Sequence, residues 1–119
     1  MPAAPELRVR IDRREQIFVI TVRGEVDYAA LEGFEQAWEA ADDAAMPVTA
    51  VDLTQVTFAD SMLLNALIEA RLRHQATGRD LVLIGPLQSA VSRLLTITGT
   101  IGLFTITEAG TSDEGSAAS

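Results

Sequence analysis

Short runs of strand-forming residues alternate with segments of helical period along this chain, and few folds accommodate that order. The clearest run is Leu81-Val82-Leu83-Ile84, four apolar residues without a polar break. A strand buried in a parallel sheet reads this way. The spacing predicts strands over 6–12, 16–23, 49–54, 81–84 and 103–106, and helices over 28–44, 61–77 and 88–97. In the first strand Leu7, Val9 and Ile11 alternate with Arg8, Arg10 and Asp12, the pattern of a half-exposed edge strand. Arg13, Arg14 and Glu15 make a polar turn, so the first two strands should pair antiparallel. The later strands are separated by helices and should pair parallel through right-handed crossovers. The expected fold class is therefore α/β: one domain, order ββαβαβαβ, with a small mixed sheet that is mostly parallel.

The helices carry their own signals. Leu31, Phe34, Trp38 and Ala41 form a core stripe in the first, with Asp27 placed to N-cap it. In the second, Leu64, Leu67, Ile68, Arg71 and Leu72 share one side, and Gly78 suits the C′ position. The third carries Val91, Leu94, Leu95 and Ile97 and stops near Gly99. Residues 1–5 read as loose, residues 6–107 as one compact domain, and residues 108–119 as a disordered acidic tail.

Composition narrows the chemistry. The 119 residues include no cysteine, no lysine and one histidine, His74. Thiol nucleophiles, thiolate metal sites, Schiff bases and the phosphate-binding lysine of a P-loop are excluded. A net charge of −8 disfavours nucleic acid and anionic membrane surfaces as partners. The N-terminus MPAAPELRVR lacks the apolar run of a signal peptide, and no segment has the length of a membrane span. The expectation is a cytoplasmic protein without metal or cofactor.

Carboxylates, hydroxyls and arginines remain. Asp52 and Asp60 flank the loop after the third strand, at the carboxyl end of a parallel sheet, where ligands often bind. Together they could do acid–base work or hold a cation; separately they would cap a strand end and a helix. His74 lies near the end of the second helix, where it would pack, or lie at the surface and favour the helix dipole. Ser61 follows a strand and a five-residue loop and opens a helix. It is placed either to cap that helix or to accept a phosphoryl group, although Asp60 would repel the added charge.

Three motifs then suggest a family. Gly24-Glu25-Val26-Asp27 resembles a G-E-[LI]-D element, Asp52-Leu53 through Phe58-Ala59-Asp60-Ser61 resembles D-L-x-x-V-x-F-x-D-S, and Ala90-Val91-x-Arg93-Leu94-Leu95 with Thr98-Gly99 resembles a final helix and its stop. These are features of the STAS domain of bacterial anti-sigma-factor antagonists, and the resemblance covers about residues 7–106. It implies a binding module and not an enzyme. The implied partner is an anti-sigma serine kinase, whose capture releases a sigma factor. The kinase would phosphorylate Ser61 and end the complex; a metal-dependent serine phosphatase would reset it. Asp27, Asp60, Ser61, Met62 and Leu63 would lie at the partner surface. One departure stands out: the family usually continues D-S-[ST]-G-L, and here Met62-Leu63-Leu64 follows the serine. Met62 and Leu63 could anchor a different partner or hinder a kinase active site. A STAS-type protein-interaction or ligand-sensing scaffold without a phosphoswitch is the second expectation.

Overall fold

The first two strands close into a tight hairpin. In the computed structural model the described residues are 9–26 and 28–108, without the side chains of 28–31. Asp27, the side chain of Leu31, and the termini expected to be loose or disordered lie outside that description, except that Glu108 ends the last strand. β1 (Val9–Arg14) pairs antiparallel with β2 (Ile17–Val26), and Arg14 faces Ile17 across the turn. Arg13 and Arg14 belong to the strand, not to the turn. Arg13 lies over the Phe18 ring at 5.8 Å, and the turn falls to Glu15, whose φ of 45° is left-handed.

The rest of the chain runs α1 (Tyr28–Ala44), β3 (Val48–Ala59), α2 (Ser61–Ala76), β4 (Asp80–Gly85), α3 (Ser89–Ile97), a 3₁₀ turn (Ile101–Leu103) and β5 (Thr105–Glu108). The sheet order is β1-β2-β3-β4-β5, and β2 to β5 are parallel. Each crossover advances one strand in the same direction, so right-handed connections put the helices on one face. The core agrees. Phe18, Ile20 and Val22 of β2, Val51 and Leu53 of β3 and Leu83 of β4 form one buried cluster with Phe34, Trp38, Leu67, Val91 and Leu95 of the helices. Burying each large side chain contributes about 1.5–3 kcal/mol. Val19 and Ala50 are buried outside that cluster, on the opposite face of the sheet.

Four expectations change. The predicted loop 55–59 is strand, and β2 also runs through Gly24 to Val26. The two strands stay paired by shifting register between Thr21 and Arg23 and between Gly24 and Glu25. Gly24 takes φ +75° there, a conformation that costs glycine little. The buried side of α2 is Leu63, Leu64, Leu67, Ala70 and His74; Leu72 is exposed. Leu103 closes the 3₁₀ turn, and β5 begins two residues later than expected. The run at 81–84 is buried throughout only at Leu83, because β4 alternates between the helix-covered face and the open one.

Candidate functional site

The extension of β2 and β3 sets the site. Val26 pairs with Ala59, so both strands end side by side and α1 and α2 start at one edge of the sheet. Asp60 is the only residue between β3 and α2. Its backbone is extended, and its Oδ1 accepts a hydrogen bond from the Met62 N–H at 2.9 Å. Its carbonyl accepts from Leu63 at 3.1 Å and Leu64 at 3.4 Å. Asp60 is therefore the N-cap, and the capping role open to Ser61 is already taken. Ser61 is the first helical residue; it is exposed, and its hydroxyl has no hydrogen bond among the described residues.

Helical geometry splits the expected apolar pair. Met62 is half-buried at the surface, whereas Leu63 is 1 % exposed and belongs to the core. Consecutive helical side chains point about 100° apart, so the two cannot share one surface. Leu63 supports the site from beneath and presents nothing to a partner. Phe58 was overlooked in the sequence. It stands two residues before the cap and is 51 % exposed. The signal was an aromatic residue beside the helix start, in a stretch that reads as loop.

Asp52 does not join Asp60. It sits within β3 between Thr21 and Ile84 of the neighbouring strands. Its Oδ1 accepts from the Thr54 N–H at 2.9 Å and the Thr54 hydroxyl at 2.7 Å. Asp52 faces Thr21 and Ala59 faces Val26, so about six strand rises, on the order of 20 Å, separate Asp52 from Asp60, too far for a shared proton or cation. No group of three metal-binding side chains occurs among the described residues.

The other end of α2 is polar and closed. His74 is fully buried. Its Nδ1–H donates to the Ala70 carbonyl at 2.7 Å, so Nε2 accepts from the Thr49 hydroxyl, also at 2.7 Å. Burial lowers its pKa from 6.5. The Ala70 hydrogen bond and Asp42 oppose that shift, and Arg79 and Arg73 reinforce it. The imidazole is neutral and makes no contribution to the helix dipole as a cation. Nearby, Arg79 donates to Asp42 at 2.8 Å and to the Ala41 carbonyl at 3.2 Å, and Arg73 donates to Asp42 at 3.1 Å. Partial burial raises the Asp42 pKa, but the two arginines outweigh it and hold the carboxyl below its usual value.

A groove of about 420 Å³ runs between α1 and α2, with Met62, Trp38 and Glu69 among its walls. Among the described residues no helix is long and apolar enough to cross a membrane.

Comparison with known proteins agrees with this fold. No sequence among the curated proteins matches the chain. An anti-sigma factor antagonist from Mycobacterium paratuberculosis is 27% identical, with 83% of each chain covered and a TM-score of 0.69. The unphosphorylated anti-sigma factor antagonist SpoIIAA superposes with a TM-score of 0.74 at 14% identity, over 93% of this chain and 97% of that one. The phosphorylated form of the Bacillus protein gives 0.70 at 16% identity, over 93% and 99%. The family described as "Mlab, STAS domain" matches residues 9–105. The chain belongs to the STAS domain family, and its fold is that of the anti-sigma factor antagonists.

Proposed function

We propose that this chain is an anti-sigma-factor antagonist that binds a serine-kinase anti-sigma factor and is switched off by phosphorylation of Ser61. The observation that carries the reading is the exposed Ser61 hydroxyl, which has no hydrogen bond among the described residues because Asp60 already caps the helix. In the transfer, the Ser61 hydroxyl loses its proton and bonds to the γ-phosphorus of ATP, while the bond from that phosphorus to the β-phosphate oxygen breaks and ADP leaves. The docking surface is Asp60, Ser61 and Met62, with Phe58 nearby in sequence and exposed; Asp27 belongs to it by the motif resemblance. The domain of residues 6–107 acts as one module in the cytoplasm, and a metal-dependent serine phosphatase reverses the modification. SpoIIAA, which has this fold, has been solved in both phosphorylation states.

A phosphate brings about −1.5 to −2 charges beside the Asp60 carboxylate. A loss of two decades in affinity requires only about 2.8 kcal/mol, which an uncompensated interface charge supplies. Intact-mass spectrometry with a candidate kinase and ATP tests the site. The wild type should gain one phosphate and Ser61→Ala none; a phosphate on Ser61→Ala overturns the assignment. A second reading, a STAS protein-interaction or ligand-sensing scaffold without a phosphoswitch, is favoured by Met62-Leu63 in place of the usual [ST]-G. It expects Ser61→Asp to bind the partner as the wild type does, and about a hundredfold loss rejects it.

A further inference from the structure

The helices cover one face of the sheet, and among the described residues no helix or strand covers the other. Strand register places Arg14, Ile17, Val48 and Asp80 in one row across that open face, from β1 to β4. The next row adds Val19, Ala50 and Val82, and the third adds Ile84. Six apolar side chains thus form the middle of the face. Its charges divide by strand. β1 supplies Arg10 and Arg14 with Asp12 between them, whereas β3 and β4 supply Asp52 and Asp80. Arg14 donates to Asp12 through Nε at 2.9 Å, and a guanidinium has four further N–H donors to offer. Asp80 is exposed and makes no ion pair among the described residues. A hollow of about 270 Å³ lies over β1 and β2, with Arg10, Asp12, Arg14 and Val19 in its lining.

An apolar field with opposite charges at its two sides is complementary to itself. A two-fold axis parallel to the strands, between β2 and β3, lays β1 of one copy over β4 of the other and β2 over β3. It sets Arg14 opposite Asp80 of the second copy at both ends of the row, with Ile17 opposite Val48 between them. Val82 and Ile84 then lie over the hollow beside β1. An axis across the strands would instead oppose Arg14 to Arg10 and Asp12 to Asp12, so the charges select the first arrangement. Five strands about 4.8 Å apart and three rows about 6.7 Å apart make a face of roughly 480 Å². Two such faces bury about 1,000 Å², where specific interfaces begin. We propose that the open face of the sheet is a reversible dimer interface with a second copy of this chain, closed at both ends by Arg14–Asp80 pairs. The axis runs along the strands, so both carboxyl edges, each with its Ser61, lie at the same end of the dimer. Nothing in the interface depends on phosphorylation of Ser61.

Sedimentation velocity of the full chain, from about 1 μM to 1 mM, should show a monomer–dimer equilibrium. Ile17→Glu should weaken it by about tenfold or more. Ile97→Glu charges a more exposed isoleucine on α3, at 74% against 40%, and should weaken it by less than about twofold. Arg14→Glu and Asp80→Arg change exposed positions, and each should weaken self-association by about tenfold. An equimolar mixture of those two variants should dimerise as tightly as the wild type, because both cross-pairs then join opposite charges. Far-ultraviolet circular dichroism confirms that each variant is folded, and the mixture decides the matter should Ile17→Glu unfold. A wild type that stays monomeric throughout overturns the proposal. So does a mixture no tighter than its components, or equal weakening by Ile17→Glu and Ile97→Glu.

Discussion

The two ends of α2 both carry polar side chains and treat them in opposite ways. At the C-terminal end His74 is fully buried, and both ring nitrogens are engaged, by Ala70 and Thr49. Arg79, Asp42 and Arg73 close the neighbourhood with ion pairs at 2.8 and 3.1 Å. At the N-terminal end Asp60 caps the helix, and Ser61 is left exposed, with no hydrogen bond from its hydroxyl among the described residues. One end uses its polar groups to fix α2 against β3. The other keeps a hydroxyl free at the edge where α1 and α2 begin. A hydroxyl that served as the cap could not be modified without unmaking the helix start. Dividing the two tasks between Asp60 and Ser61 lets the second change at little cost to the fold.

Substitutions can break this contrast. His74→Ala should have the largest effect, a loss of about 3 kcal/mol in urea unfolding, because it leaves a cavity and an orphaned Thr49 hydroxyl. A change within about 0.5 kcal/mol would show that the buried end does not hold the helix down. Acid comes next. The folded pKa of His74 lies below its ordinary 6.5, so below that pH the unfolded chain binds a proton that the folded chain refuses. Stability should therefore fall as pH drops from 6.5 towards the folded pKa, by up to about 1.4 kcal/mol per pH unit. His74 is the only histidine, so His74→Gln should flatten the profile above pH 5, roughly where carboxylates begin to titrate. The Asp42 contribution has the reverse origin: its pKa is depressed, so its share is present above 3.8 and is lost only as pH falls below that.

The N-terminal end should give smaller values. Asp60→Ala removes the side-chain cap and should cost about 1 kcal/mol in the same assay. Ser61→Ala should change stability by less than about 0.5 kcal/mol, since its hydroxyl has no hydrogen bond among the described residues. A cost near that of Asp60→Ala would mean that the two residues share the cap, and the division of tasks would be wrong.

Much of this was legible in the sequence where the signal is local. Gly78, with φ +72°, follows the α2 C-cap Thr77, as its position after the helix implied. Phe34, Trp38 and Ala41 keep their helical period and are buried. The errors fall where apolar residues surround an element or polar ones interrupt it. Leu63, Leu64, Leu67, Ile68 and Leu72 lie on several sides of α2, so periodicity could not tell which side faces the sheet. The rotation depends on contacts across the core, among them the His74–Thr49 hydrogen bond over 25 residues of sequence, and it places Leu63 inside and Leu72 outside. Gln55 and Thr57 read as loop because β3 carries an extra residue at each of two register shifts against β2, which breaks the strand alternation just there.

The sequence by itself determined the order of elements, the parallel pairing and the serine at a helix start, because caps, turn residues and hydrophobic period act over a few residues. Tertiary structure decided what depends on contacts between distant residues. It settled that Asp52 and Asp60 lie apart, that His74 is neutral and bonded at both nitrogens, and that Met62 and Leu63 part company. Among the described residues it also left the buried indole N–H of Trp38 without an acceptor. Those outcomes follow from how α1 and α2 rotate against the sheet, and packing across the whole core fixes that rotation.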